Sequence, residues 1–185
     1  GVQKHYYEDG SVKWETPYKH GKEDGIRKTY YESGQLESET SYEDGLKQGV
    51  YKNYYKDGKL LTEMNYRDDK EEGRKERFYK SGKLWEETFY LNGKAEGIAR
   101  EYYENGQLKH EWIFKNGKLE GLAKKLNVDG VIISTEQYVN GESPNHEMPS
   151  QQTVTKDIDL SEPAGIDYDQ KEVWKNRRQE DRLGE

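Results

Sequence analysis

A 24-residue unit, repeated without insertion, constrains this chain more than any other feature. Six copies fill residues 1–144, and a glycine returns in the copies at the opening position and at two turns. In the fifth copy, Gly97–Glu120, two Asn-Gly pairs stand between runs of strand-forming residues. Asn-Gly in this setting favours a β-hairpin, because both residues of a type I′ turn need a positive φ. Each unit is therefore predicted to contain two short strands and two tight turns.

Charged residues indicate how the strands of each hairpin pair. A two-residue turn at Asn105-Gly106 gives the pairs Glu104–Gln107, Tyr103–Leu108 and Arg100–Glu111, with counterparts in the other copies. This register places opposite charges across the ladder in four of the six copies, where each pair contributes roughly 0.2–1 kcal/mol. Glu76 opposite Glu87 breaks the pattern. A three-residue loop with a G1 bulge would shift the register by one residue, and that alternative stays open.

The unit is too short for a helical crossover and has no helical period, so its strands should form an antiparallel meander. We predict an all-β fold, an elongated single-layer sheet of six hairpin repeats, roughly 55–60 Å long. Tyr102 and Tyr103 are adjacent and should point to opposite faces. Because one sheet cannot enclose a two-layer core, rows of stacked tyrosines must take over that role.

Composition narrows the classes of partner. Only 30% of the residues are hydrophobic and 36% are charged, which is typical of disorder, but 16 Tyr and 4 Trp recur on the repeat period. Of the net charge of −7, about half lies in the last 41 residues, with 6 basic and 10 acidic side chains. The repeats carry balanced charges, so we predict no nucleic-acid partner, and contact with an anionic membrane is disfavoured.

The tail, residues 145–185, is of another kind. An acidic and apolar stretch, Asp157–Tyr168, reads as extended, and Asp169–Leu183 reads as a short helix with Asp169 as its N-cap. Such a helix is too short and too charged to be stable alone. We therefore predict that the tail docks on the repeats through apolar side chains: Ile158, Leu160, Tyr168 and Trp174.

The repeat, Y-Y-x-x-G-x-L-x-x-E-x-x-Y-x-x-G-K-x-x-G, resembles the bacterial variant of the MORN repeat over residues 1–144. The matching residues of the fifth copy are Tyr102, Tyr103, Gly106, Leu108, Glu111, Phe114, Gly117, Lys118 and Gly121. The resemblance implies a β-hairpin array that binds protein without catalysis. It also points to antitoxin or immunity-like proteins (the YwqK-type group), and lipid binding has been attributed to some MORN proteins.

No residues in the sequence converge on a catalytic site. The four histidines, His5, His20, His110 and His146, share no repeat column, whereas a metal or base site needs side chains that converge. A recurring glutamate column is better explained as cross-strand partners of lysine. The glycines lie in hairpin turns and do not precede a helix, so they are poor phosphate loops. We predict no enzymatic activity, no metal and no cofactor.

Positions where one copy departs from the others are the better candidates for binding. Strand alternation places Leu61, Trp85 and Ile133 in one column, and puts Phe89 and Ile113 on the same face. Phe78 should lie opposite Trp85, and the other face carries Trp14, Met64, His110 and Trp112. The predicted partner-binding residues are Leu61, Phe78, Trp85, Phe89, His110, Trp112 and Ile113. Alternatively, this apolar patch is ordinary core, or the tail covers it.

The sequence thus favours a protein-binding repeat scaffold, with a cognate toxin or its own tail as the occupant. The alternative is an envelope or surface structural protein, or a protein that binds lipid surfaces. Lack of cysteine excludes disulfides but does not settle the compartment. We favour the cytoplasm, and a secreted or envelope location would follow if a leader has been removed. Gly1 is already in repeat register without a Met, as expected of an expression fragment or a processed protein.

Overall fold

Fifteen strands form one antiparallel sheet in the computed structural model, which describes residues 1–143. The strands are β1 Val2–Tyr6, β2 Val12–Lys19, β3 Lys22–Glu23, β4 Gly25–Tyr30, β5 Leu36–Glu43, β6 Leu46–Tyr54, β7 Leu60–Arg67, β8 Lys70–Phe78, β9 Leu84–Leu91, β10 Lys94–Ala95, β11 Gly97–Tyr102, β12 Leu108–Lys115, β13 Lys118–Leu119, β14 Gly121–Leu126 and β15 Ile132–Tyr138. No helix occurs among residues 1–143, so none there spans a membrane. The predictions for the tail helix and for docking by Ile158, Leu160, Tyr168 and Trp174 lie outside the described residues.

Strand order follows chain order, as a meander requires. The sheet runs β1-β2-β4-β5-β6-β7-β8-β9-β11-β12-β14-β15, and the two-residue strands β3, β10 and β13 pair with β2, β9 and β12. All described neighbours are antiparallel, including the hairpin of the sixth unit, in which β14 pairs with β15. The prediction of an all-β antiparallel sheet built from hairpin repeats is confirmed.

The second turn of each unit is the predicted type I′ turn. At Asn116-Gly117 both residues have positive φ, 52° and 81°, and Lys115 pairs with Lys118 across the turn. The third unit keeps this conformation with Asp68-Asp69, at 49° and 64°. Asp and Asn tolerate the left-handed region better than most residues with a side chain, which explains how an aspartate replaces glycine here.

The first turn is different, and the prediction of a type I′ turn at Asn105-Gly106 is wrong. Gly106 alone has positive φ, 91°, while the Gly106 N–H donates to Tyr103 O and the Tyr103 N–H donates to Gln107 O, each at 2.8 Å. These bonds define the three-residue loop with a G1 bulge. Tyr103 therefore faces Gln107, and the predicted pairs Tyr103–Leu108 and Glu104–Gln107 do not form.

A second irregularity restores the predicted register beyond the loop. Tyr102 pairs with Leu108 and Glu101 pairs with His110, which leaves Lys109 as an extra residue in β12. This bulge cancels the one-residue shift that the loop introduces, so Arg100 still pairs with Glu111. The other five units show the same register shift at the equivalent place.

A column of alternating charges crosses one face of the sheet, which we call the ladder face. It consists of Lys4, Glu15, Lys28, Glu39, Lys52, Glu63, Glu76, Glu87, Arg100, Glu111 and Lys124. Pairs across it include Lys4–Glu15 at 3.0 Å and Arg100–Glu111 at 3.0 Å. The exception at Glu76 has a physical explanation: Arg74 replaces the apolar residue of its column and contacts both Glu76, at 3.1 Å, and Glu87.

Paired tyrosines tie each unit to its neighbours. The first hydroxyl of a pair donates to the glutamate of the preceding unit, as Tyr102 does to Glu87 Oε1 at 2.6 Å. The second hydroxyl donates to a backbone carbonyl of the next unit, as Tyr103 does to Leu126 O at 2.9 Å. Burial, followed by the bond to the carboxylate, raises the pKa of Tyr102 to about 12. These bonds stabilise the stacking of consecutive units.

Candidate functional site

The face opposite the charged ladder, here called the groove face, carries the buried side chains. An aromatic column runs along it: Tyr18, Tyr42, Tyr66, Tyr90, Phe114 and Tyr138. Two residues earlier in each unit lies a second column, Thr16, Thr40, Met64, Thr88, Trp112 and Glu136. Its first four members are buried, with Thr16 only 1% exposed. The groove face therefore provides what core the sheet has, and any large residue that departs from these columns changes its shape.

An open cavity of about 670 Å³ lies on the groove face at the fifth unit, and we call it the Ala99 groove. Ala99 is buried, at 3% exposed, and pairs directly with Trp112. Tyr90 and Phe114, consecutive members of the aromatic column, also line it, and so do the charged residues Glu86 and Lys94. A smaller cavity, of about 370 Å³, lies around Met64, Tyr66 and Lys75.

Cross-strand pairing explains part of the shape of the Ala99 groove. In the fourth unit the equivalent pair is Lys75 with Thr88, a long residue opposite a short one. In the fifth unit the sizes are exchanged, with Ala99 opposite Trp112. The Trp112 indole stacks on His110, with centroids 5.0 Å apart and planes at 22°. The cavity that remains has an aromatic lining.

A polar cluster centred on Glu101 adjoins this groove. The Glu101 carboxylate contacts three donors: Lys109 Nζ at 2.8 Å, His110 Nδ1 at 2.7 Å and Trp85 Nε1 at 3.2 Å. Burial favours a higher pKa for Glu101, but the hydrogen bonds from Lys109, His110 and Trp85 outweigh it and hold the pKa below its usual value. The cluster thus fixes an ionised carboxylate beside the stacked His110 ring.

The bulge moves Trp85 away from the residues with which strand alternation grouped it. Trp85 takes the extra position of its strand, since Phe78 pairs with Leu84 and Arg77 with Glu86. Its indole bonds to Glu101, and the Arg77 guanidinium lies 4.1 Å from the ring centroid, so Trp85 belongs to the groove face. The prediction that Phe78 lies opposite Trp85 is therefore wrong.

The remaining predicted residues divide between the two faces. Phe89 pairs with Arg74 and Ile113 pairs with Ile98, on the ladder face, away from Trp112. Leu61 takes the bulge position of the third unit. The structure thus brings Trp85, His110 and Trp112 together near Glu101 and does not join them to Phe78, Phe89 or Ile113.

Sequence reasoning missed Ala99, Tyr90 and Phe114 as members of one site. One signal was present: the column of Ala99 reads Gln3, Arg27, Tyr51, Lys75, Ala99 and Ala123. The change from long to short side chains in that column indicates an opening. Within residues 1–143, no group of three or more His, Asp or Glu side chains is placed to hold a metal ion.

Comparison with known proteins gives a family match along most of the repeats. A sequence model of the MORN repeat variant matches five segments: residues 1–20, 23–44, 47–68, 71–92 and 95–116. Curated proteins yielded no match. Among solved structures, the chain is similar to TarM of S. aureus, in a mutant complex with fondaparinux, alpha-GlcNAc-glycerol and UDP, at 22% identity and a TM-score of 0.35, with 52% of this chain and 19% of that chain covered.

Two further structures give similar figures. Another TarM structure has 22% identity and a TM-score of 0.34, covering 54% of this chain and 20% of that chain. A GtfA/B complex has 15% identity and a TM-score of 0.28, covering 60% and 20%. This chain spans about a fifth of the length of each of these three proteins.

Proposed function

Since this chain belongs to the MORN repeat variant family, we propose that it is a non-enzymatic scaffold that holds a segment of a partner protein in the Ala99 groove. One observation carries the proposal. The aromatic side chains of Trp112, Phe114 and Tyr90 line an open cavity on the face that carries the buried side chains of the sheet. Aromatic side chains in a concave site are typical anchors for protein partners.

Two arrangements support a rigid site. Trp112 is held by stacking on His110, and His110 contacts Glu101. Both Trp112 and Phe114 lie on β12, a strand paired on both sides, rather than on a loop. A site built on paired strands loses little conformational freedom when it binds, and more of the contact energy then appears as affinity.

A display library of random linear peptides tests the proposal. Peptides enriched on the purified chain should lose most of their affinity when Trp112 is replaced by Thr, the residue that Thr88 supplies at this position in the fourth unit. Trp14→Thr is the matched control, because Trp14 also stacks on a histidine of the groove face, with centroids 4.8 Å apart. Failure to enrich any peptide, or equal losses in both variants, would count against the scaffold function.

The antitoxin or immunity role is a narrower proposal that rests on the resemblance. It predicts that the partner is a toxin domain encoded beside this chain. Co-expression of the two should restore growth, and the Trp112→Thr variant should restore it less. If the neighbouring product is not toxic, or growth returns equally with the variant, this role is wrong. Liposome flotation at low salt tests the alternative of a lipid-surface binder.

The chain's own tail is the other proposed occupant. The tail lies outside the described residues, so the proposal is tested on the whole protein. Deletion of residues 156–185 should lower the melting temperature if the tail packs on the repeats. An unchanged melting temperature, together with unchanged hydrogen exchange in the repeats, would refute docking.

A further inference from the structure

The chain places its own cations over aromatic rings along the groove face. The contacts, from cationic atom to ring centroid, are Arg27–Trp14 at 5.2 Å, Lys47–Tyr66 at 4.8 Å, Lys75–Tyr90 at 5.3 Å and Arg77–Trp85 at 4.1 Å. A cation within about 6 Å of a ring centroid is attracted by the negative face of the ring. Groove-face rings of the first, third and fourth units are therefore already supplied with positive charge.

The fifth unit differs from the fourth at two of these positions. Ala99 occupies the repeat position of Lys75, and Phe114 occupies the position of Tyr90. Because the side chain of Ala99 ends at Cβ, it brings no ammonium to the aromatic column. Within residues 1–143, the Trp112 and Phe114 rings have no lysine or arginine over them. Trp has the strongest attraction for cations among the aromatic side chains.

We propose that the Ala99 groove binds a lysine or arginine side chain of a partner protein, in the place that Lys75 holds in the fourth unit. This inference deepens the proposed function and rests on it, since it names the chemistry of the partner segment. The rings of Trp112 and Phe114 supply the attraction, and the cavity that they help to line is open to solvent.

Charge complementarity points the same way. Glu86 is one of the lining residues, and its carboxylate lies 3.3 Å from Arg77 Nη1. Lys94 is the opposing charge in the lining, but it is exposed, so its ammonium is solvated and screened. A basic segment therefore meets aromatic rings and the carboxylate of Glu86, which it would share with Arg77, whereas an acidic segment would meet only Lys94 as a cation of the lining.

Two synthetic peptides make the test. One is the acetylated and amidated tripeptide Gly-Arg-Gly, and the other replaces arginine by citrulline, which keeps the shape and removes the charge. We expect the arginine peptide to shift the NMR signals of the Ala95 and Gly117 amides and of the Trp112 indole N–H. The citrulline peptide should bind roughly 2- to 30-fold more weakly, the range expected for one cation–π contact. Trp14 and Trp85 indole signals serve as controls, since each ring already has an arginine.

A double variant, Ala99→Lys with Trp112→Thr, copies the Lys75–Thr88 pair of the fourth unit into the fifth. The chain already contains this pair in the same sheet, so the variant should fold, and its own lysine should abolish the amide shifts. Phe114→Leu removes a ring and retains an apolar side chain, and it should weaken the arginine peptide but not the citrulline peptide. Equal binding of both peptides to the wild type, or persistence of the shifts in the double variant, would overturn the proposal.

The two proposals fail in different ways. The enriched display peptides could depend on Trp112 and yet bind equally well after their Lys and Arg residues are replaced by Gln. That result would refute the cation site and support the scaffold function. An arginine peptide that shifts Ala95 and Gly117, on a chain that enriches no library peptide, would support the cation site and count against the scaffold.

Discussion

Replacing Tyr102 by Phe should remove one tie between consecutive units without disturbing the packing. The change deletes only the hydroxyl, which donates to Glu87 Oε1 at 2.6 Å, and the chain itself carries Phe78 at the same repeat position. Glu87 is 17% exposed, so its lost partner is poorly replaced by water. A hydrogen bond to a charged group contributes about 1.5–3 kcal/mol, so we expect the variant to be about 2 kcal/mol less stable.

Tyr103→Phe is the matched comparison. Its hydroxyl donates to a neutral acceptor, the Leu126 carbonyl, at 2.9 Å. A bond between neutral groups contributes only about 0.5–1.5 kcal/mol, so the loss should be about half as large. Both variants keep the ring, and each removes one bond from the fifth unit to a neighbour, the fourth unit for Tyr102 and the sixth for Tyr103. Their difference therefore reports mainly on the charge of the acceptor.

Urea unfolding followed by circular dichroism measures both losses, with the slope checked because repeat arrays can depart from two-state behaviour. The double variant Tyr102→Phe with Glu87→Gln completes a cycle, and we expect a coupling free energy of at least about 1 kcal/mol. NMR titration of Glu87 gives an independent readout: loss of the bond from Tyr102 should raise its pKa. A loss below about 0.5 kcal/mol, or no coupling, would refute the assignment of this bond as a tie between units.

Three further predictions concern the scaffold. Arg74→Ile restores the apolar column but leaves Glu76 opposite Glu87 without a shared cation. We expect the free energy of unfolding to fall by about 1 kcal/mol at neutral pH and low salt, and to recover when Glu76→Lys is added. Urea unfolding of both variants measures the change. Gly25→Ala should destabilise more than Gly10→Ala in thermal melts, because a Cβ at the first site would lie 3.1 Å from a proline ring, whereas at the second it meets nothing within 4 Å. Raising the pH from about 10 to about 12 should unfold the sheet. Burial is the main reason that the pKa of several phenols is raised to about 12, and nearby carboxylate or tyrosine side chains add to it; these phenols are Tyr30, Tyr54, Tyr66 and Tyr102. A folded-state pKa above the ordinary value means that their contribution is complete below pH 10 and is lost as the phenols ionise; phenolate absorbance and circular dichroism should change together.

The 24-residue repeat predicted the pairing of the strands because each structural position recurs in several copies of the sequence. The pair Arg100–Glu111 was predicted from charges in four copies, and a local error in one copy could not hide it. The prediction survived even though the loop type was wrong, because the bulge at Lys109 compensates for the loop. Repetition therefore predicts the pairing of the strands well and predicts the conformation of the loops that join them poorly.

The site was harder to predict for a physical reason. Strict alternation assigns side chains to faces, and a single extra residue reverses the assignment for its neighbours. Trp85 occupies that extra position, so it lies with His110 rather than with Phe89. Ala99 was missed because a site made by a missing side chain leaves no conspicuous residue in the sequence.

Departures from the repeat fall into two kinds, and only one of them indicates a ligand. Glu76 departs from its column, but Arg74 departs with it, and the two neutralise each other within the sheet. Trp85 departs too, and its indole finds Glu101. At Ala99 the chain lacks the cation of Lys75 and gains Trp112 opposite, yet the cavity that Trp112 and Phe114 line stays open. A departure that another residue of the sheet compensates is explained by folding. The departure at Ala99 has no such compensation, so this position is the one at which we expect a partner to bind.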